Sequence, residues 1–121
     1  MPGTITISTL SDGTNSTSAT NPIRGSAKAW VAYNGVTQTV LASYNVSSVV
    51  RDAAGIYIIV FTNPFADGNY SVVGMSQQTG GNAYLLYGYI DTPYTASQFK
   101  VATSTTAVVS DTMQLSLAVF K

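Results

Sequence analysis

The residues from Met113 to Phe120, MQLSLAVF, alternate strictly. Met113, Leu115, Leu117 and Val119 fall on one face, and Gln114, Ser116, Ala118 and Phe120 on the other. A period of two is the repeat of a β-strand with two different faces, and no helix can use it. A second run, GIYIIVFT at 55–62, is apolar on both faces, so the spacing predicts a strand covered on both sides, inside a sandwich or against another subunit. No stretch sustains apolar spacing at three and four, and β-branched residues occur throughout, so no helix is expected. Strands are expected near 3–9, 26–33, 36–43, 46–51, 55–62, 69–76, 83–90, 97–103 and 112–120.

Turn chemistry separates these runs. Asn34-Gly35 is a hairpin signal, Asp67-Gly68-Asn69 and Gly80-Gly81 are further turns, and the residue before Pro64 and before Pro93 is steered away from the helical region. The stretch 11–21, SDGTNSTSATN, has too little apolar content to pack alone. The pattern describes an all-β chain: a compact antiparallel β-sandwich or barrel-like domain. It spans 1–121 as one domain, with an extended N-terminal strand and polar arm over 1–21 lying across a core over 22–121. The chain shows no repeat, heptad or second domain.

Composition narrows the function. Charged residues make up 8% of the 121 residues, against about 25% in an ordinary soluble domain. Mean hydropathy is +0.21, yet no apolar run approaches the ~18 residues of a membrane span. A folded monomer of this mass would expose roughly 6,200 Å². A chain with so few charges has a neutral surface to account for, and burial in an oligomer accounts for it. Net charge is zero, and Arg24, Lys28, Arg51, Lys100 and Lys121 are scattered, which gives no footprint for a phosphate backbone. Neither nucleic-acid binding nor membrane insertion is expected. The N-terminal MPGTITIST lacks the basic and apolar regions of a secretory leader. The chain is therefore expected to reach its place within an assembly or a longer polypeptide.

The chain contains no His, Cys or Glu. Ser/His/Asp and Cys/His nucleophilic systems cannot be assembled, and zinc loses its usual ligands. Asp12-Gly13-Thr14-Asn15 has oxygen donors but lacks a full calcium loop, so it reads as a plain turn. Paired carboxylates for glycoside hydrolysis would need two of Asp12, Asp52, Asp67, Asp91 and Asp111 to converge. No catalytic residue, metal or cofactor is assigned. The three Asn-x-Ser/Thr sequons, at Asn15, Asn45 and Asn69, are matches expected by chance in so Ser- and Thr-rich a chain.

Eight tyrosines accompany one tryptophan. Tyrosine rings with neighbouring amides suit a sugar- or protein-binding surface, the ring meeting C–H patches and the amides meeting hydroxyls. Period-two counting puts Tyr84 on the face opposite Tyr87 and Tyr89, so they cannot all line one site.

Several blocks of this chain resemble a module found in bacteriophage tail-fibre and related virion fibre proteins. They are Ile23–Val31 (IRGSAKAWV), Tyr33-Asn34-Gly35, Ser43–Val49 (SYNVSSV), Gly55-Ile56-Tyr57, Phe61 and Phe65–Tyr70 (FADGNY), with LSDGTNSTSATN as the lead-in. The resemblance covers roughly residues 8–75. Ala32 and Val36-Thr37-Gln38 depart from the module's commoner Asn and Gly-Thr-Gly. The resemblance implies a virion component, extracellular on the particle. It would work as a homotrimer near a fibre tip, touching other virion proteins and a host glycan or outer-membrane protein. It carries no enzyme. The alternative is a structural virion component: a capsid decoration, head fibre or assembly connector.

Within that frame Trp30, beside Ala29, Val31 and Tyr33, is expected to be scaffold and not ligand contact, with Trp30→Ala costing about 3–5 kcal/mol if it is buried. Some of Ile56, Ile58, Val60 and Phe61 are expected at or beside a subunit contact. The recognition surface is expected between Ser76 and Gln98, where the resemblance stops. Gln77, Gln78, Asn82, Tyr87, Tyr89, Asp91 and Tyr94 are its candidate residues.

Overall fold

In a computed structural model, residues 3–78, 85–88, 93–105 and 108–121 are described. Two four-stranded antiparallel sheets face each other across one core. Sheet one has the order β4-β3-β10-β7 and sheet two the order β5-β6-β9-β8. Their strands are β3 Ala29–Asn34, β4 Thr39–Tyr44, β5 Val46–Ala53, β6 Ile56–Phe61, β7 Ser71–Gln77, β8 Leu85–Gly88, β9 Gln98–Ser104 and β10 Gln114–Phe120. The expected strands from 26 onward are all present with shifted ends. The described part of the expected 83–90 strand is β8.

Alternation builds the core as expected. Ala29, Val31 and Tyr33 of β3 and Leu115, Leu117 and Val119 of β10 point inward from sheet one. They meet Tyr57, Ile59 and Phe61 of β6 and Phe99 and Val101 of β9. Tyr33 and Tyr57 touch edge to face at 5.4 Å across the two sheets. The run 55–62 is covered unequally: its odd residues are buried, while Ile56, Ile58 and Val60 are only half-buried on the outer face of sheet two. Phe61 is a core residue packed on Phe65, Tyr70 and Phe99, so of the four residues expected at a contact it is the one that is not available.

The chain changes sheets at Asn45. Its φ of +54° is a left-handed conformation that Asn tolerates better than most residues. Its amide ties three segments, donating to the carbonyls of Lys28 and Asn63 at 3.2 Å and accepting the Asn63 N–H at 2.8 Å. The Asn34-Gly35 turn is longer than a two-residue hairpin. Asn34 Oδ1 accepts the N–H groups of Val36 and Thr37, and Gln38 takes the positive φ of 55°. Gly35 is required by space: a Cβ there would lie 2.2 Å from the Tyr57 hydroxyl and 2.8 Å from the Thr112 carbonyl.

The N-terminal region departs from the expected long strand and overlying arm. Thr9–Ser11 (β1) and Ser16–Ser18 (β2) form a small hairpin of their own. Its turn is fixed by Asp12 Oδ1, which accepts the N–H groups of Thr14 and Asn15 at 2.9 and 2.7 Å. That is the plain-turn role expected of this stretch. A six-residue helix, α1 Thr20–Gly25, follows, unannounced by any apolar periodicity. Pro22 near its start needs no helical N–H partner there.

The strand polarities give the sandwich two distinct ends. Residues 3–28 enter β3 at the end where β10 finishes, since Ala29 pairs with Val119. The opposite end holds Asn34, Gln77, Gln114 and the turn that follows β3.

Candidate functional site at the end opposite the termini

Three strands of sheet one finish or begin in amides at this end. Gln114 pairs with Gln77 across β10 and β7, and Asn34 ends β3 beside them. Together with Gln78, Leu41 and Met113 they line a recess of about 180 Å³. Register, not sequence proximity, assembles it. Gln78 is half-buried, with Oε1 accepting the Met113 N–H at 3.2 Å. Asn34 spends Oδ1 inside its turn. The hydroxyl of Thr112 bridges the backbone carbonyls of Gln77 and Gln114 at 2.7 and 3.1 Å, which fixes the two strand ends relative to each other. Among the described residues the recess carries no ionisable side chain. Its chemistry is hydrogen bonding by primary amides beside a Leu and a Met, which suits hydroxyl and amide partners.

Beneath this end lies a charged clasp. The Arg51 guanidinium grips Asp111 through Nε and an Nη at 3.0 and 2.8 Å. Asp111 Oδ1 also accepts the Gly55 N–H at 2.8 Å and the Tyr57 hydroxyl at 2.7 Å. The Arg51 bonds, aided by the Gly55 N–H and the Tyr57 hydroxyl, hold the Asp111 carboxyl down at about 2 against its burial. Burial first, then the hydrogen bond to this carboxylate, pushes the Tyr57 phenol far up. Gly55 sits at φ +72°, and a Cβ there would lie 2.6 Å from Thr103 and Ser110 backbone atoms. Both oxygens of Asp111 are occupied by donors, so its role is to fasten β5, β6 and the segment entering β10.

The other described aspartates are engaged separately. Asp12 caps its turn, Asp52 pairs with Lys100 at 2.8 Å, and Asp67 pairs with Lys121. Among the described residues no three His, Cys, Asp or Glu side chains gather as a metal site.

The structure divides the expected recognition residues. Gln77 and Gln78 belong to the amide recess. Tyr87 and Tyr94 line a different recess of about 200 Å³ midway along the β7 and β8 edges, with Leu86, Gly88, Val72 and Leu117 among its walls. Tyr87 is exposed on the outer face of sheet two. Tyr94 is half-buried and stacks on Tyr70 at 5.4 Å with an 8° interplanar angle, and its ring is tilted against Phe99 at 5.5 Å. Burial raises its phenol pKa. Its ring closes the aromatic end of the core and also forms a wall of that recess. Asn82, Tyr89 and Asp91, and with them Tyr84 and the Gly80-Gly81 turn, lie outside the described residues.

Trp30 is not a core residue. It is 41% exposed on the outer face of sheet one. Ala29, Val31 and Tyr33 alternate with it and take the inner face, so its neighbours in sequence are not its neighbours in space. Around it the register sets Tyr44, Ala118 and Val73 in one row and Ala42, Ala32, Ser116 and Met75 in the next. The strands β3, β4, β7 and β10 contain no Asp, Glu, Lys or Arg. The site thus has two connected parts, an uncharged sheet face and an amide-lined end. Alternation applied to β3 and β10 together could have found the face. Asn34 and Gln114 as members of the recess needed the register.

No family model, curated protein or solved structure matches the chain.

Proposed function

We propose that this chain is a non-enzymatic adhesion module of a bacteriophage virion fibre, acting as a homotrimer on the extracellular particle. The observation that carries the reading is the polarity of the sandwich. The segment 3–28 and Lys121 lie at one end, and the amide recess of Asn34, Gln77, Gln78 and Gln114 lies at the other. A fibre joined through the first end presents the second outward. The resemblance over residues 8–75 supports the same reading, as does a recess suited to a neutral, hydroxylated partner. A host surface glycan, or polar loops of an outer-membrane protein, offers that chemistry. Three weak sites on one trimer, repeated over several fibres, would bind by effective concentration rather than by one tight contact.

The test is adsorption of labelled protein to host cells and to an array of bacterial envelope glycans. A variant combining Asn34→Ala, Gln77→Ala and Gln78→Ala is expected to stay folded with a lowered melting temperature, since it loses the Asn34 turn bonds and the Gln78–Met113 bond, and to lose adsorption. Unchanged adsorption by the folded variant would remove this end as the site. The second reading, a capsid decoration, head fibre or connector, draws on the apolar face around Trp30, which could seat another virion protein. Such a chain would bind purified capsids and leave cells bare.

A further inference from the structure

We infer that the outer face of sheet one, centred on Trp30, is the contact between copies of this chain; the inference rests on the oligomeric reading above. Four observations carry it.

The first is electrostatic. A face lined only by uncharged strands can pack against neighbouring copies around a three-fold axis without like-charge repulsion or the stranding of a desolvated ion. The outer face of sheet two cannot do so: Lys100 and Asp52 form an ion pair on it, beside Ser48 and Gln98.

The second is composition. Trp30 is 41% exposed, Tyr44 58%, Val73 53% and Met75 71%. Aromatic residues and Met with no charge are the signature of a buried interface core, and are unlike a wetted sheet face, which should alternate to polar residues.

The third is shape. Ala32, Ala118, Ser116 and Gly74 leave a shallow groove of about 520 Å³ between the bulkier Trp30 and Met75. Knob and groove lie on one surface, so a second copy brings the side chains that fill it.

The fourth is area. The chain exposes 7414 Å², whereas a monomer of its mass exposes roughly 6,200 Å². The N-terminal hairpin takes part of the excess. Strand spacing and rise make the outer face of sheet one about 20 Å on a side, large enough that an apolar patch calls for a partner. This moves the contact away from Ile56, Ile58 and Val60, which half-cover the other sheet.

The experiment compares wild type with Trp30→Glu, Met75→Glu and, on the opposite sheet, Ile58→Glu. Molar mass is read by light scattering at micromolar concentration, with folding checked by thermal melts. Wild type is expected at three times the 12.7 kDa chain. Either sheet-one variant is expected to fold and to weaken self-association by about 100-fold or more, running as the single chain. Ile58→Glu should keep the wild-type mass. Because Met75 is so exposed, its variant remains informative if Trp30→Glu fails to fold.

Trp30 is the single tryptophan, so its fluorescence in wild type reports on this face without any substitution. Emission should shift to the red on dilution, as the assembly dissociates. Sheet-one variants that retain the wild-type mass, or dissociation by Ile58→Glu alone, would overturn the proposal. A wild type that stays at 12.7 kDa would overturn both this face and the trimer, yet its adsorption to cells, measured separately, would keep the adhesion reading. A monomer whose Trp30 is protected only on adding another virion protein would give the face to that partner, and the proposal would fail.

Discussion

Sheet one and sheet two contribute four strands each to the same core, but they turn different chemistry outward. Inward, both present alternating apolar and aromatic side chains, Tyr33 and Leu115 from one, Tyr57 and Phe99 from the other. Outward, sheet two mixes half-buried Ile56, Ile58 and Val60 with Lys100, Asp52, Ser48 and Gln98. Sheet one offers Trp30, Tyr44, Val73 and Met75 with Ala, Ser and amides, and no charge. The inner similarity is what a fold needs. The outer difference is not needed for folding and therefore points to use. The charged residues that lie within the strands of the two sheets, Arg51, Asp52 and Lys100, all belong to sheet two.

The first way to break the comparison is to attack the two inner faces. Phe99→Ala in sheet two and Leu115→Ala in sheet one should each cost about 3–5 kcal/mol, because both side chains are buried and leave cavities. Urea unfolding of the dissociated chain checks this. A markedly smaller loss for one of them would show that the sheets do not share one core.

Asp111 sharpens the comparison at the end where charge is used internally. Asp111→Ala should cost about 2–3 kcal/mol, since it strands the Tyr57 hydroxyl, the Gly55 N–H and the Arg51 guanidinium together. The folded carboxyl titrates at about 2 and the free one at 3.8. Its stabilisation is therefore complete above 3.8 and drains away as pH falls from 3.8 toward about 2. An Asp111→Asn variant, followed by thermal melts across that window, should lose this part of the acid dependence.

Asn45→Ala tests the crossing from one sheet to the other. It removes three hydrogen bonds at a left-handed position and should cost about 2 kcal/mol in the same melts. Trp30→Ala is expected to have the smallest effect on the dissociated chain, about 1 kcal/mol or less, because the indole is on the surface. A loss of 3 kcal/mol or more in the dissociated chain would mean that Trp30 is core after all.

Much of the architecture was legible from alternation. MQLSLAVF and GIYIIVFT give β10 and β6 directly, and Asn34-Gly35 separates β3 from β4. Three features were hidden for physical reasons. The β1–β2 hairpin is short and polar, so Asp12 backbone bonding defines it and no periodicity does. The Arg51–Asp111 clasp joins residues remote in sequence, which only the register of β5, β6 and β10 brings together. Trp30 has an apolar neighbourhood in sequence that it does not have in space, because adjacent residues in a strand face opposite ways.

The candidate site was half legible. Gln77 and Gln78 follow from the end of β7. Tyr94 is a candidate by its place in the tyrosine cluster, and its stacking on Tyr70, which lies 24 residues earlier in the chain, is not visible in the sequence. Asn34 and Gln114 could not be grouped with Gln77 until sheet order was known.

The central claim is that one outer face is covered and the other is wet in the working protein. Hydroxyl-radical footprinting of wild type at micromolar concentration tests it most directly, because it reads both faces in one sample. Oxidation of Met75, Trp30 and Tyr44 should be strongly suppressed in the assembly and recover on dilution, while Tyr87 on sheet two is modified equally in both. Met75 and Trp30 reacting as fast in concentrated as in dilute protein, with Tyr87 protected instead, would contradict the account.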